Sequence, residues 1–376
     1  MPLPGRIMLL VLAITITPPV VASPAEPRWM RSLLYSFRQQ YDMPALAAVV
    51  VVGGEVVAAS AVGVRRAGRS ERIRRGDRFH IGSIAKPFTA TLTGILAQRG
   101  KLHWDDRLER MFPGVPMHPD YRDVTITQLL THRSGMPYQP TTPESETDKA
   151  GRSLYEKRQA YVRAALKDSP EARPGTRQIY GGGHILVANY MERLTRTPFE
   201  SLIERELFAP LALRSARFGD PSLNRKEPGP WSHVRENGRN TPLPPDPAQR
   251  NQARSPVGRN LSMSITDLGR FVAEHLRGGR GESDFLLPPV WAWLQEPAVP
   301  GAMAPAWGVD QVPWAKGPVL AHGGSNLRNF ALCKIVRDED FAICTASNIG
   351  YDGIGDHHET IIQRLAREIR AGRFAE

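Results

Sequence analysis

Phe79-His80-Ile81-Gly82-Ser83-Ile84-Ala85-Lys86-Pro87-Phe88-Thr89-Ala90 sets a serine three residues ahead of a lysine at the mouth of a helix. Ile84, Phe88, Leu92, Ile95 and Leu96 recur at helical spacing, and Gly100 closes the run. Proline is tolerated only in a first turn, so Pro87 places the helix start close to Ser83. Residues three apart on a helix lie roughly 5–6 Å apart at Cβ, which brings the Lys86 amine to the Ser83 hydroxyl as a base to a nucleophile. Such a pair works only where burial or neighbouring positive charge lowers the lysine pKa. The positive helix N-terminus favours that and also offers free N–H groups to an oxyanion. A serine before a helix is also the ordinary N-cap, so the spacing alone leaves both readings open. Ser83 is the only serine of the chain with a lysine three positions on.

The 376 residues, 41% hydrophobic and 23% charged, suffice for one large core. Arg6, the apolar run Ile7–Val21 and Val20-Val21-Ala22 read as a secretory signal over residues 1–22, with cleavage expected rather than retention as an anchor. The expected location is therefore periplasmic or secreted, with residues 23–376 as a single catalytic domain. The formal charge of +11 is carried mostly by scattered arginines, without aromatic interleaving or a binding module. That excludes nucleic acid as a partner and suits attraction to anionic cell-envelope polymers. Cys333 and Cys344 flank a hairpin whose turn is Arg337–Asp340; pairing Val336 with Phe341 sets the two cysteines opposite each other, as a disulfide or as two buried thiols.

Along the chain, Trp29–Tyr41 has helical periodicity, and Ala45–Val52 and Glu55–Val64 are strands joined at Gly53-Gly54. Thr125 reads as the N-cap of a short helix, a polar loop follows from Gln139 to Lys149, and helices are expected over Leu154–Leu166, Ile185–Leu194 and Phe199–Leu207. Asp220–Arg254 reads as an aperiodic excursion, a candidate flap over the site. Ser264 caps a helix over Asp267–Leu276. Strands return at Val319–His322, Asn329–Val336 and Phe341–Ser347, before a helix from Asp356 to Ala371 opened by an Asp356/Glu359 capping box. Strands at both ends with helices between predict an α/β (α+β) fold: one antiparallel sheet built from both chain ends and flanked by helices (28–82 plus 286–376), with a mostly helical lobe (83–285) inserted.

Two downstream pieces complete a candidate site. Tyr180, in Tyr180-Gly181-Gly182-Gly183-His184, can act as general acid or base beside a lysine, or simply cap a buried loop. His322-Gly323-Gly324-Ser325 follows an apolar strand; its glycines admit a substrate along the strand edge, Ser325 N–H is a candidate oxyanion donor, and His322 either meets a carboxylate, tunes Tyr180 or is structural. No Gly-x-Ser-x-Gly elbow, phosphate loop or dinucleotide fingerprint occurs, and His357-His358-Glu359 lacks metal-site spacing, so neither cofactor nor metal is expected.

In this order, the Ser-x-x-Lys stretch, Leu129–Pro137, Pro174-Gly175 leading to Tyr180, Glu192–Thr195, Pro198-Phe199, Pro210-Leu211, Ser264–Phe271 and His322-Gly323-Gly324 resemble the serine beta-lactamase-like hydrolase superfamily, in its class C beta-lactamase, D-alanyl-D-alanine carboxypeptidase and family VIII carboxylesterase branch. The resemblance implies the beta-lactamase/transpeptidase-like fold, Ser83 as acylated nucleophile, Lys86 as its activator, Tyr180 as proton shuttle, and Ser83 and Ser325 N–H as the oxyanion hole. It also implies a small-molecule ester or peptide as substrate, and a monomer is expected. Two departures stand out. Gly182 replaces the asparagine of the family's Tyr-x-Asn motif, and Tyr180–Glu192 is one residue shorter than usual. Without that asparagine, or the lysine of the usual third motif, small esters or D-amino-acid peptides are expected over beta-lactams. A D-alanyl-D-alanine carboxypeptidase with weak beta-lactam turnover, or a catalytically inactive penicillin- or envelope-binding protein, is the alternative.

Overall fold

The computed structural model describes residues 24–147, 149–223, 228–245 and 260–374. The expected signal over residues 1–22 lies outside them, as do 224–227 and 246–254 of the expected flap. No helix among the described residues is long and apolar enough to cross a membrane.

Helix α1 (Arg28–Gln40) leads into β1 (Ala45–Val52) and β2 (Glu55–Gly63), then the two-residue β3 (Phe79–His80). The helical part follows as α2 (Ala85–Gln98), α3 (Leu108–Met111), α4 (Ile126–Leu130), α5 (Glu144–Thr147), α6 (Leu154–Lys167), α7 (Gly183–Thr195) and α8 (Phe199–Ile203), the last continuing as a π turn to Phe208. Short strands β4 (Arg217–Phe218), β5 (His233–Glu236), β6 (Arg239–Pro242) and β7 (Leu261–Met263) precede α9 (Ile265–Gly279) and α10 (Pro288–Gln295). The chain closes with β8 (Gly308–Asp310), β9 (Val319–Ser325), β10 (Phe330–Val336), β11 (Phe341–Ser347), β12 (Ile349–Gly350) and α11 (Ile354–Arg370).

The main sheet runs β2-β1-β11-β10-β9-β8, so the two chain ends meet where β1 pairs antiparallel with β11. Alternation along β1 feeds two cores. Ala45, Ala47, Val49 and Val51 face the helical part, while Leu46, Ala48 and Val50 face α1 and α11. The hairpin register is the expected one: Val336 opposes Phe341, and Cys333, opposite Cys344, is joined to it by a disulfide at a Cα separation of 4.2 Å.

Local signals explain some of the boundaries. Thr125 and Gln128 form a reciprocal capping box at α4, and Ser264 accepts the Asp267 N–H at α9. The expected Asp356/Glu359 box does not form. The final helix begins two residues earlier, after Gly353 at φ +82°, and Glu359 instead meets Trp314 Nε1 at 2.8 Å and Lys334 Nζ at 3.3 Å. The polar stretch after Gln139 contains the single turn α5, and the excursion after Asp220 contains the β5–β6 hairpin, which extends a small sheet from β12. Aperiodic sequence hid that hairpin because its partner strand lies more than 100 residues further on.

Helix α2 is buried from Ala85 to Leu96. Phe88 stacks on Phe271 of α9 with centroids 3.6 Å apart, and α9 rests on the sheet, where Gly269 leaves room for Val49. The helical part is tied by Arg158 of α6, whose fully buried guanidinium spans Glu192 of α7 (3.0 Å from Nε) and Glu200 of α8 (2.9 Å from Nη1). Glu192 also accepts the Phe199 N–H at 3.0 Å. Removing the cation leaves buried carboxylate charge uncompensated. Arg158→Met is therefore expected to lower unfolding stability by about 3–5 kcal/mol in denaturant titration, whereas replacing an exposed arginine such as Arg107 shifts it by less than about 1 kcal/mol.

Candidate active site

Ser83 lies in a 3₁₀ turn, Gly82–Ile84, that runs into α2. Its side chain does not cap the helix: Lys86 Nζ lies 3.1 Å from Ser83 Oγ, and the Tyr180 hydroxyl donates to the same oxygen at 2.8 Å. Lys86 is 7% exposed and its Nζ sits 4.6 Å from the centre of the Tyr180 ring. The nucleophile candidate thus meets both proton-handling candidates, and the shortened Tyr180–Glu192 segment still delivers the phenol to Ser83.

Strand β9 supplies the opposite wall. Gly82 has φ +54°, and a Cβ there would approach Ser325 N to 2.5 Å; one on Gly324 would strike the Ile81 carbonyl and come within 2.9 Å of Ser83 N. Two glycines therefore let the turn bearing Ser83 touch the strand edge, which brings the N–H groups of Ser83 and Ser325 into one neighbourhood. Strand β8 pairs only with Val319–Ala321, so His322–Ser325 has no strand partner on that side among the described residues. Gly323 is exposed there. His322 directs Nδ1 at the Gly323 carbonyl, 2.8 Å away.

Gly182 has no side chain because its space is taken. A Cβ would collide with the hydroxyl of Tyr161 on α6 and lie 2.7 Å from its Cζ. The sequence shows the glycine but not the phenol that fills its place.

Residues that local pattern reading missed lie behind Tyr180. His132 is 1% exposed, its ring packs 4.3 Å from that of Tyr180, and His184 follows at 5.2 Å. Burial, and then the charge of Lys86, push His132 down to about 3 and His322 to about 4. Burial holds His184 far below its usual range, aided by His132 and Lys86. These imidazoles stand neutral around Lys86. Both histidines occur in glycine-flanked segments, Thr131–Pro137 and Tyr180–His184, and that juxtaposition was the available signal.

A model of the family described as Beta-lactamase matches residues 30–365. The chain belongs to the beta-lactamase family. Penicillin-binding protein 4 of Amycolatopsis lactamdurans is 26% identical over 328 residues, covering 84% of this chain and 83% of that one. A putative D-alanyl-D-alanine carboxypeptidase of Escherichia coli K12 is 29% identical over 150 residues, 38% of this chain and 34% of the other. Among solved structures, EstCE1, a hydrolase with promiscuous acyltransferase activity, superposes with a TM-score of 0.76 at 16% identity, covering 90% of this chain and 98% of its own, a likeness of fold. The family relationship agrees with the expected mixed α/β architecture, and homologues in this family are generally hydrolases.

The buried histidines also set an acid limit. An unfolded histidine titrates near 6.5, while His132, His275 and His358 are held near 3 and His184 is held far below its usual range. As pH falls below 6.5 the unfolded chain takes up protons that the folded chain refuses. Stability is therefore full above that value and declines toward the folded values, by up to about 1.4 kcal/mol per pH unit for each ring. Melting temperature is expected to be level from pH 7 to 8 and to fall steadily from 6.5 to 5, where most carboxylates remain ionised. A level curve through that window would contradict the neutral rings.

Proposed function

We propose that the protein is a serine hydrolase that forms an acyl-enzyme at Ser83 on small esters. The observation that carries this is the Ser83 oxygen held by Lys86 at 3.1 Å and by Tyr180 at 2.8 Å at the start of a buried helix. In the reacting state, with either Lys86 or Tyr180 deprotonated, Ser83 gives its proton to that group as Oγ bonds to the substrate carbonyl carbon. The oxyanion forms toward the N–H groups of Ser83 and Ser325. The proton then passes to the departing alcohol as the C–O bond breaks; water, deprotonated by the same pair, bonds to the acyl carbon, the bond to Ser83 Oγ breaks with the proton returning to Oγ, and the acid leaves. Tyr180, 41% exposed, stands between the serine and solvent, where a proton must travel.

The acyl side favours an ester over an anchored amide. Position 182 offers no amide side chain, and Tyr161 closes the space in which one would stand. The edge His322–Ser325, which has no strand partner on the β8 side among the described residues, supports a second reading, a carboxypeptidase that lays an extended D-amino-acid peptide along β9. The name of the Escherichia coli relative points the same way. A non-catalytic penicillin- or envelope-binding protein is the third. The signal-like first 22 residues support export to the periplasm or beyond, and the +11 charge supports retention near anionic envelope polymers.

The deciding assay compares the mature protein with Ser83→Ala on a p-nitrophenyl ester, a chromogenic cephalosporin and a D-Ala-D-Ala peptide. The expected result is a burst and turnover on the ester only, abolished in Ser83→Ala. Peptide cleavage would establish the second reading, and labelling by an acylating probe that survives Ser83→Ala would remove the serine from the reaction. Gly182→Asn provides an independent check. Its Cβ must displace Tyr161 or the Tyr180 loop, an overpacking cost of about 1–3 kcal/mol. Ester turnover should drop at least about tenfold without gain on the cephalosporin; a gain would show that the missing side chain alone limits beta-lactam hydrolysis.

A further inference from the structure

His132 is held in a conformation that a non-glycine residue adopts only under constraint, with φ +58°, immediately after α4 and nearly devoid of solvent contact. Its contacts converge on one target. The His132 carbonyl accepts the Ile179 N–H at 2.7 Å, its Nδ1 accepts the Gly181 N–H at 3.2 Å, and its ring lies 4.3 Å from that of the intervening Tyr180. One residue thus grips the residue before Tyr180, the residue after it and the ring between. The surrounding segment adds to the grip: Gly175 N–H bonds the Arg133 carbonyl at 2.7 Å, Glu171 N–H bonds the Gly135 carbonyl at 2.9 Å, and Gly181 lies so close to the Met136 carbonyl that a Cβ would meet it at 2.6 Å.

We propose that His132 is a positioning residue that acts through Tyr180, locking the phenol onto Ser83 by accepting the Gly181 N–H and packing against the phenol ring. This rests on the reading of Ser83 as the acylated nucleophile. The Gly181 bond needs an unprotonated Nδ1, which places the single ring proton on Nε2. That nitrogen is buried and has no hydrogen-bond partner among the described residues. The groups around the ring all disfavour a second proton: Lys86 from α2, His184 from α7 and His322 from β9 add positive charge when protonated, and Tyr180 presents an uncharged ring. A cationic imidazole would turn the Nδ1 acceptor into a donor facing another donor and release the loop.

The experiment separates the acceptor from the backbone conformation. His132→Asn and His132→Gly both tolerate positive φ, but only asparagine retains an acceptor, Oδ1, near the place of Nδ1. Acylation of Ser83 is followed by burst kinetics on a p-nitrophenyl ester, with melting temperature measured alongside. The expected result is a fall in kcat of about 100-fold for His132→Gly with KM little changed, as for a misplacement of about 1 Å, and a substantially faster His132→Asn. A His132→Gly protein as fast as the parent, or a His132→Asn protein as slow as His132→Gly, overturns the assignment. Crystal structures of the two variants give a reading independent of turnover. The Tyr180 hydroxyl should lie beyond hydrogen-bond reach of Ser83 Oγ in His132→Gly and within it in His132→Asn; a phenol still seated on Ser83 in His132→Gly overturns the proposal. A parent protein that is never acylated, with the phenol displaced in His132→Gly as expected, would instead count against the acyl-enzyme reading and leave the positioning role supported.

Discussion

The contact between the Gly82–Ser83 turn and Gly324 of β9 is the constraint on which the rest of the site depends. A methyl group on either glycine would push the strand edge from the turn, because the atoms it would meet are backbone atoms with no rotamer to change. Everything that reaches Ser83 arrives around this fixed point: Lys86 one helical turn on, Tyr180 from the loop before α7, and the Ser325 N–H from the strand. The sheet is rigid there because β9 is zipped to β10 over its length, and β10 is joined to β11 by both hydrogen bonds and the Cys333–Cys344 bridge. In the proposed acyl-enzyme, a proton-transfer pair gains little unless the carbonyl it serves is held in place, and the backbone N–H groups of Ser83 and Ser325 are what would hold it.

Electrostatically the site is unusual in its histidines. His132, His184 and His322 lie close enough to Lys86 for its charge to oppose their protonation; His132 and His184 are buried, and His322 is half-buried at the strand edge. Neutral imidazoles add polar, polarisable walls without adding charge. The arrangement also accounts for burying His132 and His184 with ring nitrogens that lack partners among the described residues, a cost of about 1–3 kcal/mol for each unpaired group.

What could be read from the chain was what is local. The Ser83–Lys86 pair, the caps at Thr125 and Ser264, and the register that sets Cys333 against Cys344 all depend on spacings of a few residues or on one hairpin turn. The glycine at position 182 was visible, but its reason, Tyr161, comes from another helix. Arg158 reads in sequence as one more solvent-facing arginine; only the packing of α6 on α7 and α8 buries it between Glu192 and Glu200. His132 stands 48 residues before Tyr180, and nothing in either segment alone announces that they pack together. The misplaced helix start at Asp356 has a simple cause: Gly353 in a left-handed conformation makes an earlier entry available, which frees Glu359 for Trp314 and Lys334.

The pairing of β1 with β11 joins Ala45–Val52 to Phe341–Ser347, segments nearly three hundred residues apart, and an Asn348 side chain accepts the Ala45 N–H at 2.8 Å. Such a sheet closes a very long loop, so its formation is slow and comes late. During synthesis Ser83 and Lys86 emerge well before the strand carrying Gly324 and Ser325 and before the β10–β11 hairpin that braces it. A growing chain therefore holds Ser83 and Lys86 long before Gly324 and the Ser325 N–H exist to stand against them, and the turn bearing Ser83 finds its seat only once β9 has been made.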